Sequence, residues 1–548
     1  MEIQTIKKLE EEALKKSGTD FTRLGFALFF MIAVLTYSFL SNGGVPNNMF
    51  LAVAALIGAY MAMNIGANDV ANNVGPAVGS KAMTMTMAIV IAAIFEAGGA
   101  LIAGGEVVKT IKKGIIDISA FGGNADPFIW AMMAALLAAA LWLNFATMMR
   151  APVSTTHSIV GGVMGAGIAA AGLSIVSWTT MGKIAASWVI SPVLGGLIAA
   201  AFLFSIKKTI VFKEDKIEAA KRYVPIFVAL MSWAFVTYLT LKGLKKIWPQ
   251  VIDMLNLLPF VSMEMTQKPS LSTALLLGLL VATVVYLVLK TKLARSSKLL
   301  ENSKDSVNQL FTVPLIFSAA LLSFAHGAND VANAIGPLAA INDAVVNGGI
   351  SSKASIPLWV MGVGAFGIAI GLALYGPKLI RTVGSEITEL DQIRAFSIAM
   401  AASITVIIAS QLGLPVSSTH IAIGGVFGVG FLREYLHLNP VEKTIQEDRE
   451  IIEDERSNLS AYKSELVTLE AKKTKSEAEY ERIVALYKLI EHEAQLIKST
   501  KKHMKRIKKV EYVKRDAVKK IIAAWVITVP AAAVLAAILF YMIRGIMI

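Results

Sequence analysis

GANDVANNVGP at residues 66–76 and GANDVANAIGP at residues 327–337 are one phrase written twice, identical at nine of eleven positions. A second phrase follows each copy, PVSTTHSIVGGVMGAG at 152–167 and PVSSTHIAIGGVFGVG at 415–430. The two phrases are 86 residues apart in one half and 88 in the other. Each half therefore sets an aspartate and several small polar residues inside otherwise apolar sequence. Carboxylates in such surroundings are costly and mark a substrate or ion path.

The surrounding chain is built for a bilayer. Apolar residues make up 55% of the 548 positions and charged residues 17%, with a mean hydropathy of +0.62. Several apolar runs are long enough to cross a membrane, which takes roughly 20 residues. Clear examples are 24–40, 83–105, 128–148, 178–204, 224–241, 271–290, 356–376, 395–410 and 521–543. They predict an all-α polytopic membrane protein, because a barrel would show ten-residue alternation instead. The chain has no cysteine, which excludes disulfides, thiolate nucleophiles and cysteine metal sites. The run at 24–40 lacks a small-x-small cleavage pattern and reads as a retained span. The net charge of +13 sits in loops beside spans, which is a topology signal and not a nucleic-acid footprint.

Loop charge predicts orientation. The tail at 1–23, with Lys7, Lys8, Lys15, Lys16 and Arg23, is expected in the cytosol. If the repeated phrases lie on broken or re-entrant hairpins, Lys109, Lys112 and Lys113 fall inside, as do the basic residues at 207–222 and 292–298. The loops at 242–246 and 378–394 then fall outside, as mild violations. Five crossings separate the two aspartate phrases, so the second copy is upside down. Two inverted repeats with broken or re-entrant helices, and about twelve membrane helices, are expected on this reading; such repeats build many secondary transporters. The predicted divisions are the tail 1–23, a first membrane half 24–240, a second half 241–432, a charged insert 433–520 and a final membrane helix 521–548.

Residues 441–520 contain no glycine or proline. Positions 442–455 hold seven acids against two bases, and 498–520 hold eleven bases against two acids. A cytosolic antiparallel helical hairpin brings the blocks together, with Ser476-x-x-Glu479 as the capping box that starts its second helix. Charged runs of this kind are usually solvated faces, so the expected role is an appendage, with regulation or subunit contact as the alternative.

The repeated phrases carry the chemistry. Asn68-Asp69 and Asn329-Asp330 each supply an amide and a carboxylate, as hard cations such as sodium require. Gly66 and Gly327 are expected to let the helix unwind and free backbone carbonyls. Two aspartates in one site repel each other unless cations or protons intervene. Ser154-Thr155-Thr156 and Ser417-Ser418-Thr419 follow Pro152 and Pro415 and read as helix starts, whose free N–H groups and hydroxyls suit a tetrahedral anion. Small and hydroxyl residues also serve as packing elements in membranes, as at Gly161 and Gly165. Two matched copies favour function. His157 and His420 are expected to bond neighbouring carbonyls. His326 stands where the first copy has Ile65. Glu96, set loosely opposite Gly367, lines an ion path or pairs with a lysine. Gln411, opposite Met148, is a weaker cation candidate. GVGAFG at 362–367 lies within a span, without a βαβ unit, and is not a dinucleotide site. There is no GxxxxGK[ST] loop and no HExxH, so ATP-driven transport by this chain alone is not expected.

GANDVAN in both halves, with PVSTTH and PVSSTH behind them, closely resembles the PiT-type inorganic phosphate transporter family. The resemblance covers about 50–170 and 311–431. It implies a non-enzymatic secondary symporter of inorganic phosphate, without a resident cofactor, in a lipid bilayer and with no nucleic-acid partner. It implies Asn68, Asp69, Asn329 and Asp330 as ion and phosphate ligands. Ser154, Thr155, Thr156, Ser417, Ser418 and Thr419 carry over as phosphate and ion ligands, Ser154 and Ser417 among those for sodium. The charged insert departs from the family pattern, since many relatives place their large loop between the halves, whereas here it follows the second repeat. The expected function is sodium-coupled phosphate uptake by alternating access across the plasma membrane. Proton coupling, a sulfate permease and an anion channel are the rivals, and a membrane enzyme acting on phosphate esters is the remotest. Homo-oligomerisation stays open.

Overall fold

The computed structural model describes residues 3–46, 48–122, 125–149, 153–257, 264–347, 356–386, 390–508 and 515–547. Pro152 and residues 509–514 of the charged insert lie outside them. The helices of the first half are α1 (Ile3–Ser41), α2 (Asn48–Asn68), α3 (Val70–Gly79), α4 (Met85–Ala103), α5 (Gly105–Lys113), α6 (Ala125–Met148), α7 (Thr155–Ala171) and α8 (Trp178–Ile206). Then come α9 (Lys216–Tyr238), α10 (Trp248–Asn256), α11 (Leu271–Ser296) and α12 (Lys304–Leu310). The second half holds α13 (Thr312–Val346), α14 (Leu358–Glu386), α15 (Gln392–Gln411), α16 (Ser418–Glu470), α17 (Glu477–Lys508) and α18 (Arg515–Met547). Among the described residues, eleven helical segments are long and apolar enough to cross a membrane. They are the nine runs named above plus Asn48–Gly79 and Thr312–Val346, which carry the aspartate phrases.

These two segments are transits, and the hydroxyl phrases are the re-entrant ones. The first transit is interrupted at Asp69 alone, and α13 runs unbroken through its phrase. The expectation that Gly66 and Gly327 unwind the helix is thus not met. Both glycines serve close approach instead. A Cβ on Gly66 would overlap the Ile368 carbonyl in α14, and one on Gly327 would overlap the Glu96 carbonyl in α4. Small residues let membrane helices touch backbone to backbone. Gly371 against Met63 and Gly99 against Phe324 complete the two crossings. Ile368, not Gly367, is therefore the counterpart of Glu96.

The segments α6 and α7 form a hairpin. Their outer ends are tied by Asp117 N–H to Ile175 O at 2.7 Å and Ser177 N–H to Ile115 O at 2.9 Å. The tip, between Thr147 and Thr155, meets the middle of the aspartate helices. The segments α15 and α16 form the second hairpin, with Gly425 against Ile398. The glycine-rich arms are covered crosswise: Gly161 and Gly165 of α7 pack on Val529 and Ala533 of α18, and Gly424 and Gly428 of α16 pack on Pro192 and Gly196 of α8. The last helix is therefore the second half's copy of α8.

With Asn48–Gly79 crossing fully, four crossings (α4, α8, α9 and α11) separate the aspartate helices, in place of five. The second copy is inverted either way. The crossing moves Lys109, Lys112 and Lys113 to the face opposite the N-terminal tail and brings 378–394 to the tail's face. Those charges are matched locally. Lys112 pairs with Asp343 at 3.0 Å in a buried contact, and Lys109 and Lys245 pair with Glu106 at 3.3 and 3.4 Å.

Residues 430–514 form a separate compact unit. It is an antiparallel helical hairpin of the lower part of α16 and α17. Leu486, fully buried, and Leu466 anchor its seam. Arg482 forks onto Glu465 at 2.8 and 2.9 Å, and His503 meets Asp448 of the acidic block at 2.9 Å. Ser476 caps α17: its N–H donates to Glu479 at 2.8 Å, one half of a capping box.

Candidate functional site

Both aspartates, both hydroxyl runs and the asparagines of both phrases converge. Helix periodicity puts Asp69 with Asn72 and Asp330 with Asn333 on one face each, and the hairpin tips bring the hydroxyls to them. Thr155 donates to Asp69 at 2.7 Å and Thr419 donates to the same carboxylate at 3.2 Å. Ser418 reaches Asp330 at 3.4 Å, and Thr155 lies 3.5 Å from it. Each aspartate is therefore contacted by hydroxyls from both hairpins. Asn72 donates to Thr419 at 2.9 Å, while Asn333 donates to Thr155 and Thr156 at 3.1 Å.

Asn68 and Asn329 lie one residue outward and hold the hairpin tips. Asn68 donates to Thr147 at 2.8 Å, and Asn329 donates to Ser410 at 2.9 Å and to the Leu414 carbonyl at 3.2 Å. Ser154 and Ser417 cap their helices by accepting from the N–H groups of His157 at 3.1 Å and His420 at 3.3 Å. Thr156 donates to the Val416 carbonyl at 2.9 Å, tying one tip to the other. The first-turn N–H groups of α7 and α16 have no acceptor within their helices, as at any helix start, so two positive dipole ends face the aspartates.

One ligand atom each from Asp69, His326 and Asp330 lies within 4.8 Å of the others, and all three residues are buried. Two carboxylate charges about 5 Å apart would repel by about 3 kcal/mol even at an effective dielectric of 20. Four buried oxygens of the two phrases have no hydrogen-bond partner: Oδ1 of Asn68, Asn73, Asp330 and Asn333. Unpartnered buried oxygens and carboxylates are what a hard cation needs.

The Glu96–His326 pair breaks the symmetry. His326 Nδ1 meets Glu96 at 2.7 Å, and its Nε2 lies 3.0 Å from Asp330 without hydrogen-bond alignment. Asn73 donates to the other Glu96 oxygen at 2.8 Å. In the first repeat the same two positions are Ile65 and Ile368, both buried. Glu96 thus pairs with a histidine and not with a lysine.

The weaker candidates lie apart. His157 and His420 meet edge to face with ring centroids 4.5 Å apart, and each packs on a tryptophan, Trp188 at 3.8 Å and Trp525 at 3.6 Å. Ring packing holds both histidines, with the Trp525 backbone as a hydrogen-bond partner for His157. Gln411 ends α15, half-buried, and its neighbour Ser410 makes the contact to Asn329. The reading of the phrases missed Thr147 and Ser410. They are matched in the alignment that sets Gln411 opposite Met148, so the signal was present.

The model of the phosphate transporter family matches residues 65–536. A protein of Helicobacter pylori (strain J99) named for phosphate permease activity is 50% identical over 557 residues, covering 98% of this chain and 98% of that one. One so named from Pyrococcus abyssi is 38% identical, covering 71% of this chain and 91% of its own. A solved structure, the sodium-dependent phosphate transporter, superposes with a TM-score of 0.70 at 29% identity, covering 91% of this chain and 99% of that one.

Proposed function

The chain belongs to the phosphate transporter family, and from that premise we propose that it takes up inorganic phosphate by symport with sodium ions through alternating access. The observation that carries the reading is the buried pair Asp69 and Asp330, each contacted by hydroxyls from both re-entrant hairpins. Sodium ions held by the two carboxylates and the oxygens of Asn68 and Asn329 offset the anion's charge, while Thr155, Thr156, Ser418, Thr419 and the starts of α7 and α16 receive its oxygens. Ser154 and Ser417 keep an O–H to donate while they cap. Phosphate carries a P–OH proton that a carboxylate can accept, and sulfate has none, so the paired aspartates favour phosphate. The protein acts in the plasma membrane with its N-terminal tail and residues 433–520 in the cytosol.

Proton coupling is the second reading, and His326 between Glu96 and Asp330 is the observation that favours it. Labelled phosphate flux into proteoliposomes decides between them. A sodium gradient at equal pH should drive accumulation, and excess sulfate should compete poorly. Accumulation driven by a pH gradient alone, and indifferent to sodium, would reject sodium symport. Passive flux that never exceeds the gradient would indicate a channel.

A further inference from the structure

The site is approached from one face. A cavity of about 460 Å³ lies between α1, α2, α6 and α14 and is lined by Tyr60, Asn64, Asn144, Thr147, Tyr375 and Lys378 among others. Its inner end is Thr147, which accepts from the Asn68 amide at 2.8 Å. Asn68 itself is fully buried, and its Oδ1 has no partner. Asn64 stands one turn before it, and Asn144 reaches Asn64 at 3.5 Å. Amides and hydroxyls of Tyr60, Asn64, Asn144 and Thr147 thus share the cavity wall with Leu24, Met31, Met63 and Met148.

The inverted repeat supplies an internal control. Asn68 and Thr147 correspond to Asn329 and Ser410, and both pairs are hydrogen-bonded. Outward of them the correspondence changes character: Tyr60, Asn64 and Asn144 match Leu321, Ala325 and Ile407, which are all buried and apolar. The register set by Gly99 and Gly371 matches Lys378 with Glu106. On that second face α5 lies on the hairpin tip. Thr110 donates to the Gly413 carbonyl at 2.6 Å, and the buried Lys112–Asp343 pair holds the same helix to α13.

We propose that this cavity is the vestibule through which inorganic phosphate reaches and leaves the Asn68–Asp69 site, and that the Thr110–Gly413 and Lys112–Asp343 contacts latch the opposite face shut. The proposal rests on the Asn68–Asp69 site being where phosphate binds. Amide and hydroxyl donors on the wall suit an anion.

The absence of native cysteine makes single-cysteine labelling unambiguous. The full chain in proteoliposomes, carrying Asn64→Cys, Asn144→Cys or Ala325→Cys, is treated with an anionic, membrane-impermeant methanethiosulfonate, and adducts are read by mass, so uptake is not needed for the readout. Asn64→Cys and Asn144→Cys should be labelled from one face only. Phosphate at about ten times half-saturation should slow that labelling about tenfold by mass action. Ala325→Cys should stay unlabelled until Lys112→Gln with Asp343→Asn opens the latch, which should raise its labelling and lower that of Asn64→Cys. Labelling of Asn64→Cys by a lipophilic maleimide but not by the charged reagent would make the cavity a lipid groove and overturn the proposal. So would labelling that phosphate does not slow. The binding-site reading fails separately, through normal uptake by Asp69→Asn and Asp330→Asn.

Discussion

The Glu96–His326 pair lends itself to a double-mutant cycle whose outcome the inverted repeat foretells. Both side chains are fully buried, and their mutual contact is 2.7 Å. Replacing His326 by isoleucine strips one Glu96 oxygen of its partner, and replacing Glu96 by isoleucine strips His326 Nδ1 and the Asn73 amide of theirs. Breaking a buried pair from one side costs about 3–5 kcal/mol, so the two single costs sum to about 6–10 kcal/mol. The double variant recreates the two residues that the equivalent helix crossing already buries, Ile65 and Ile368. Its remaining liability is the unpaired Asn73 amide, about 1–3 kcal/mol. The double variant should therefore be destabilised by at least about 3 kcal/mol less than the sum of the singles. Equilibrium unfolding in mixed micelles, followed by tryptophan fluorescence, measures all four corners. Additivity within about 0.5 kcal/mol would refute the reasoning, because non-interacting sites behave that way.

Asp69→Asn and Asp330→Asn should each cut phosphate uptake by about 10–100-fold, the value of a bond to a charged group, while size-exclusion profiles stay unchanged. Gly327→Ala forces its Cβ into the Glu96 carbonyl, so α4 and α13 must part; stability should fall by about 1–3 kcal/mol, read as faster thermal inactivation of flux. In the charged hairpin, Lys472 and the Ser476 backbone lower the Glu479 carboxyl to about 2 from 4.5. A lowered carboxyl stabilises the capped turn fully above 4.5 and loses that contribution as pH falls through about 2. A carbon-13 carboxyl titration should find that midpoint, and Lys472→Ala should move it up.

The convergence of the two phrases is legible because polar groups in oil need partners and each half offers the same set. The capping box at Ser476 is legible because its signal is local. The hinge reading of Gly66 and Gly327 fails because glycine permits both unwinding and close approach, and sequence does not distinguish them. Placing Lys109 and Lys112 inside follows from reading the aspartate phrases as hairpins that return to their own side. Glu96 and His326 lie 230 positions apart and occur in one repeat only, so duplication gives no hint of their contact. Trp188 and Trp525 stand outside the phrases, and the charged insert hides the kinship of α18 with α8.

The crosswise cover of the hairpins has a consequence for biogenesis. The glycine face of α7 finds its lid in α18, which is made much later. Some 350 residues separate them, and at about 5–20 residues per second a ribosome needs roughly 20–70 s to deliver the lid. Over that interval the newborn first hairpin must be sheltered by lipid or by the insertion machinery. A chain cut short before Arg515 would leave α7 bare, and supplying the missing tail as a separate polypeptide should restore what the cut removed.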